Sequence, residues 1–286
     1  MRNFIISTEA TSDLATDIIE KYDIKVAPFE YFVDGYNYNT ETNNMTPFEF
    51  YDEMRKGADV KTTQINYFNA KNFLYDLVKQ GKDVLHICFS SGLSGTYENF
   101  KKAAEELNEE FENKCYVVDS LCASAGEGLL TLLVCQKAET EDLSIGDLVD
   151  YAEKMKMRIN HIFTVDDLKY LVKGGRVSKG SAKIANFLHI KPLMNVDNDG
   201  KLAVTNKIFS RKLAIKKIFD KLTQNYDSEF KDILICQADC LKDATTLKNM
   251  ITEKYAVNVT IVPLDYIIGC HSGPGTMSVF YVGDKR

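Results

Sequence analysis

Apolar and polar positions along the chain switch period repeatedly, and each switch marks an element. Phe4–Ser7 is a short apolar run. Ser12–Tyr22 follows as a helix, with Ser12 as N-cap and Leu14, Ile18 and Ile19 at helical spacing. Ile24–Val33 reads as extended chain. In Thr46–Lys56 (TPFEFYDEMRK) a threonine N-cap, a proline at the first helical position and Glu49 three residues after the threonine spell a capping box. Tyr67–Gln80 is amphipathic and stops at Gly81 as its C′ residue. Val84–Phe89 and Cys115–Asp119 are strands. Between them Tyr97–Glu112 carries Phe100, Ala103, Ala104, Leu107 and Phe111 on one helical face, and Gly128–Lys137 is a further helix. Strands alternating with helices of this length predict βαβ units and a mainly parallel sheet with helices on both faces.

The pattern changes after the polar stretch ETEDLS, residues 139–144. Ile145–Met157 reads as a helix, and the boundary is set there. This gives an N-terminal α/β domain over 1–157 and a C-terminal α/β domain over 158–286. In the second part Lys191–Val196 and Leu202–Phe209 flank DNDG, a hairpin signal that brings antiparallel pairing and a mixed sheet. Arg211–Leu222 and Asp243–Tyr255 are helices, and Ile233–Ala238 and Asn258–Pro263 are strands. The closing YIIGCHSGPGTMSVFYVG sets two apolar runs around a Gly-Pro-Gly loop. No internal repeat or low-complexity linker interrupts the chain.

Composition narrows the function classes. The 286 residues are 45% hydrophobic and 27% charged, as in a soluble globular protein with a real core. With 35 basic and 41 acidic residues the net charge is −6, and no basic cluster is interleaved with aromatics, which argues against nucleic acid. No signal segment or membrane-length apolar run is visible, and the seven cysteines lack a secreted-domain spacing, so a reduced, cytoplasmic protein is expected. Cys236 and Cys240 form a close pair, but no second Cys or His pair completes four ligands, so no metal is expected.

Candidate chemistry lies in the loops. In a parallel α/β sheet ligands bind where strand-to-helix loops gather. Here those loops are STEATS, SSGLSGT and DSLCASAGEG, with KTTQIN able to join them. Hydroxyls, glycines and unpaired N–H groups at helix starts suit an anion. Ordinary N-capping selects Ser and Thr too; four such segments together favour a site. The anion is not held by a phosphate loop, since no GxxxxGK[ST] occurs. GEGLLT, from Gly126, lacks the third glycine of a dinucleotide fingerprint, and GLSGT has Thr96 where a hydrolase elbow needs glycine. His86, His161 and His189 sit in apolar surroundings and read as packed. His271 lies among glycines in IIGCHSGPGT, and Arg176 stands on the glycine pair of KGGR, where its fork could reach a carboxylate.

In their order and spacing VDDLKYLVKGGRVS, KPLMNVDNDGKL, FSSGLSGTY and IIGCHSGPGT resemble the DegV family of bacterial fatty-acid-binding proteins. The likeness covers essentially the whole chain. It implies a two-domain α/β fold with one long-chain fatty acid between the domains. It also implies a role as the lipid-carrying subunit of fatty acid kinase, whose ATP- and Mg-dependent partner phosphorylates the bound acid for phospholipid synthesis. By the same resemblance Thr62 or Thr63 of KTTQ and Ser94 with Gly95 of GLSGT hold the carboxylate together with His271. Arg176 and Ser120 support that network, and Arg211 of IFSRKLA docks the kinase. The carrier is expected to be a monomer with no cofactor of its own and transient contact with a membrane surface. Two departures from the family pattern stand out: TTQIN replaces TSQPS, with Ile65 for proline and Asn66 for serine, and Glu9 of STEATSDL replaces an aspartate. The alternative from a different class is a serine hydrolase or acyltransferase using Ser94 with His271, and Asp119 as the orienting acid.

Overall fold

The computed structural model describes residues 3–42, 45–177 and 190–286; His189, read above as packed, lies outside them. β1 (Phe4–Glu9), β2 (Lys25–Ala27), β6 (Asp83–Cys88) and β7 (Cys115–Asp119) form a wholly parallel sheet in the order β2-β1-β6-β7. Its connections carry α1 (Thr16–Tyr22), α3 (Tyr67–Val78) and α4 (Thr96–Glu110), as the alternating pattern predicts. A small antiparallel sheet of β3 (Glu30–Val33), β4 (Tyr36–Asn39) and β5 (Val60–Thr62) stands beside it. The extended stretch read over Ile24–Val33 is therefore two strands in different sheets. Pro28, which has no N–H to give a ladder, lies in the break between them. β3 and β4 turn on Asp34 and Gly35, both at positive φ (49° and 84°), the two-residue turn whose twist matches that of a hairpin.

The capping box forms as the sequence predicts. In α2 (Pro47–Lys56) the Thr46 hydroxyl accepts the Glu49 N–H at 3.2 Å while the Glu49 carboxylate accepts the Thr46 N–H at 2.8 Å. Thr46→Ala removes the first of these bonds and is expected to lower stability by about 1 kcal/mol, seen as a small drop in melting temperature. The helix it fixes buries Phe50, Tyr51 and Met54, and Tyr31 of β3 stacks on Tyr266 at 4.9 Å beside Phe50.

Strands beyond residue 157 join a third sheet. β8 (Ile159–Thr164), β9 (Lys191–Val196), β10 (Leu202–Ile208), β11 (Asp232–Gln237), β12 (Asn258–Pro263) and β13 (Met277–Val282) run in the order β10-β9-β8-β13-β11-β12. β11 and β12 are parallel and the other pairs antiparallel, so the sheet is mixed. Its helices are α7 (Lys169–Lys173), α8 (Arg211–Asn225), α9 (Leu241–Lys254) and α10 (Tyr266–Ser272). The first apolar run around the Gly-Pro-Gly loop is thus a helix and the second a strand.

One helix ties the sheets together. α5 (Ala125–Thr140) is buried without interruption from Ala125 to Cys135, and it touches β1 and β6 of the first sheet and β8, β11 and β13 of the third. AGEGLLTLLVC has no polar stripe because this helix has no solvent face there. α6 (Ile145–Met155) packs beside it. One apolar cluster accordingly spans the first and third sheets, joining Ile5 and Leu85 to Leu234 and Phe280. Among the described residues no helix is long and apolar enough to cross a membrane.

Candidate functional site

β8 and β13 pair with Phe163 opposite Ser278 and His161 opposite Phe280. Strand alternation puts these four side chains on one face of the third sheet. Val196 and Leu202, also paired in register, extend that face. α10 and the loops after β1, β5, β6 and β7 come over it and leave a cavity that, with the open space at its mouth, encloses about 840 Å³. Much of the wall is apolar: Phe29, Phe89, Leu93, Phe163, Leu171, Ile267 and Phe280.

The four motifs singled out in the sequence converge on this wall. Thr62, the last residue of β5, is hydrogen-bonded through Oγ1 to His271 Nε2 at 2.8 Å. Arg176 donates to the Leu93 carbonyl at 3.4 Å and to the Gly174 carbonyl. The two sites meet because Gly174 has no side chain: a Cβ there would lie 2.3 Å from His271 Nδ1. Gly95 plays the same part for Gln64, whose Oε1 lies 2.4 Å from where a Cβ would stand. Ser94 accepts the Thr96 N–H at 3.3 Å and is paired with the Thr96 hydroxyl at 2.9 Å. Thr62, Thr63, Ser94, Arg176 and His271 all line the cavity. Burial, and secondarily the Arg176 charge, push the His271 pKa down to about 4, so its ring is neutral at physiological pH. Burial also draws Arg176 below the ordinary arginine value. The wall therefore combines neutral hydroxyls, a neutral imidazole and one guanidinium beside a large apolar surface. That combination suits an amphiphile with an anionic head.

Three predicted residues stand apart from the wall. Gly95 is the N-cap of α4 and acts through the room it gives Gln64. Ser120 is buried in the turn after β7, where its hydroxyl accepts the Cys122 N–H at 3.0 Å. Arg211 opens α8 and is ion-paired to Asp243 at 2.7 Å and Asp166 at 3.5 Å, next to the exposed Phe209. The geometry does not assemble the hydrolase constellation. His271 bonds Thr62 rather than Ser94, and Asp119 accepts the Ser91 and Leu121 N–H groups at 3.1 Å each.

His86 is packed as read, wholly buried and tilted against Phe100 with ring centres 4.0 Å apart. Its neighbours Glu9 and Cys88 are buried too, with the Cys88 thiol donating to Glu9 at 2.7 Å. His161 is also buried, but on the cavity wall, with Nε2 accepting the Ala123 N–H at 3.2 Å. Sequence reasoning missed Gln64, Thr11, Ser124, Ser278 and Phe163, all on the wall. The i, i+2 alternation within HIF and SVF was a signal for the last two; loop residues Thr11 and Ser124 give none beyond their loops.

A family model described as "Uncharacterised protein, DegV family" matches residues 3–284. A DegV domain-containing protein of Clostridium perfringens is 35% identical over 290 residues, covering 100% of this chain and 99% of that one. Among solved structures, the DegV of Bacillus subtilis, described as a fatty acid binding protein, superposes with a TM-score of 0.86 at 25% identity, over 99% of this chain and 100% of that one. A Thermotoga maritima protein described as revealing fatty acid binding function has a TM-score of 0.84 at 28% identity, over 98% and 99% of the two chains.

Proposed function

Because the chain belongs to the DegV family, we propose that it binds one long-chain fatty acid in this cavity and presents the carboxylate to an ATP- and Mg-dependent fatty acid kinase. The product of that partner is an acyl phosphate for phospholipid synthesis. The observation that carries the reading is the meeting of Thr62, Ser94, Arg176 and His271 beside a large apolar wall. Burying a chain of about fourteen methylenes releases on the order of 11 kcal/mol of gross transfer free energy at about 0.8 kcal/mol per CH₂. The head cannot follow the chain into an apolar space unless it is hydrogen-bonded. Thr62 or Thr63, Ser94 and His271 supply neutral partners, with Arg176 behind them. Neutral donors leave a carboxylate oxygen nucleophilic, as a phosphoryl acceptor must be. In this reading the chain is a monomeric cytoplasmic carrier with no turnover and no cofactor of its own, and Arg211 on α8 meets the kinase.

Mass spectrometry of the purified protein, native and then after organic extraction, tests the reading. The expected result is a one-to-one adduct that extracts as an unmodified fatty acid. A protein that is empty, and stays empty when offered acids of about C14–C18, would overturn it. A loaded protein that yields no acyl phosphate with kinase, ATP and Mg would overturn the presentation step alone.

A further inference from the structure

Next to the cavity, two carboxyl groups from distant parts of the chain meet. Asp13 follows the turn that ends β1 and holds a left-handed backbone (φ 48°). Asp265 is the N-cap of α10, its Oδ1 accepting the Ile268 N–H at 3.1 Å and the Ile267 N–H. Asp13 Oδ1 accepts the Asp265 N–H at 2.7 Å, and Asp13 Oδ2 accepts the Ser124 hydroxyl. Ser124, at the start of α5, has a positive φ of 55° with ψ −147°, a conformation that favours glycine and is held here by its surroundings. Thr11, Ser124, Leu264 and Ile267, which neighbour the two acids, are all cavity wall.

We propose that Asp13 and Asp265 share one proton and through it clamp α10, with His271 near its far end, onto the β1 and α5 side of the cavity, so that fatty-acid retention weakens when that proton is withdrawn. The inference rests on the fatty-acid reading above. Asp265 Oδ2 is buried and, as an ionised oxygen, has no donor facing it. As an O–H it becomes a donor beside Asp13, whose Oδ1 already stands 2.7 Å from the Asp265 backbone nitrogen. Asp13 then accepts from the Asp265 N–H, the Ser124 O–H and the Asp265 O–H, which is what a carboxylate is built to do. Two ionised carboxylates in this place would repel across the joint that holds α10.

Burial drives both acids up, Asp13 to about 7 and Asp265 well above the carboxylate range, the latter raised further by the Asp13 charge. The titratable groups facing the pair are Tyr51 of α2, Cys236 of β11 and Cys270 of α10, each with its own ionisation pushed up by burial, so none of them supplies a compensating charge near neutrality. A carboxyl whose pKa is higher in the folded than in the unfolded chain stabilises the fold fully below its unfolded value. That stability is lost as pH rises through the folded value. For Asp13 the loss runs from the ordinary range of about 4 to about 7, and for Asp265 it continues beyond.

The test compares wild type with Asp265→Asn, whose amide keeps the cap and donates to Asp13 without a titrating proton. In the infrared difference spectrum at neutral pH, wild type is expected to show the C=O stretch of a protonated carboxyl that the variant lacks. As pH is raised above neutrality, palmitate affinity is expected to fall roughly tenfold in wild type and less than about twofold in the variant. Titration of the fatty acid itself is common to both proteins and cancels. Absence of the carboxyl band, or a parallel fall in both proteins, would overturn the shared proton. Should wild type bind no palmitate at any pH, the functional reading fails. The dyad is then decided by the band and by the melting temperature against pH, which must fall more steeply in wild type. If Asp265→Asn does not fold, Asp13→Asn serves, with the same band lost.

Discussion

Thr62→Val is expected to lower the affinity for palmitate by roughly 10- to 100-fold while leaving the melting temperature of the empty protein within a few degrees. The range follows from about 1.5–3 kcal/mol for a hydrogen bond to a charged group. Valine fills the same volume, so the wall keeps its shape. What goes is the hydroxyl that sits 2.8 Å from His271 Nε2 at the cavity edge. The loss is large because the site offers the head few partners, and a carboxylate left short of one inside an apolar wall bears the desolvation cost in full. Thr63→Val is the companion measurement. If it carries the loss and Thr62→Val does not, the contact belongs to Thr63 and Thr62 only orients the histidine. Titration adds a check on sign. Burial lowers the His271 pKa to about 4, so protonating the ring opposes the fold. Its contribution to stability is complete above about 6.5, the unfolded value, and is lost as pH falls toward 4. Affinity should therefore show no step from His271 above about pH 5, and any step at higher pH belongs to other groups.

Much of the fold could be read from local pattern, because local chemistry decides those elements. The capping box at Thr46 and the hairpin around DNDG came out where predicted, each fixed by residues that need particular backbone geometry. The missed strand β4 had an equally local signal. VDGY carries the Asp-Gly turn between alternating residues, but it lies at the end of the run read as extended over Ile24–Val33, beyond which no element was assigned before Thr46. α5 begins three residues earlier than its apolar periodicity suggested. It is buried on all sides and so shows no amphipathic edge to mark the start. At the site, Thr62 and Ser94 were named through the family resemblance and Arg176 and His271 through their glycine-rich surroundings, and all four line the cavity. Gln64, Thr11 and Ser124 were not named. Their place on the wall depends on how the first and third sheets are brought together, which no single segment encodes.

The glycines of SAGEG give the second large effect. The motif fails as a dinucleotide fingerprint, and the structure shows what its glycines do instead. A Cβ on Gly126 would lie 2.0 Å from His161 Nε2, and one on Gly128 would lie 2.2 Å from the Ser12 carbonyl oxygen. α5 can lie against both neighbours only because these positions are bare. Gly126→Ala is therefore expected to destabilise the protein by about 3 kcal/mol despite the better helix propensity of alanine, the cost of overpacking a site that cannot give. His161 cannot simply turn aside. It is buried, packs edge-on to Phe280 with ring centres 5.4 Å apart, and accepts the Ala123 N–H. Removing the ring relieves the clash, so Gly126→Ala combined with His161→Ala should be less destabilised than the sum of the two single variants by about 2 kcal/mol. Denaturant unfolding of the four proteins measures that coupling. Strict additivity would mean that α5 shifts to accommodate the methyl group, and the contact between Gly126 and His161 would then not be what fixes the helix against the cavity wall.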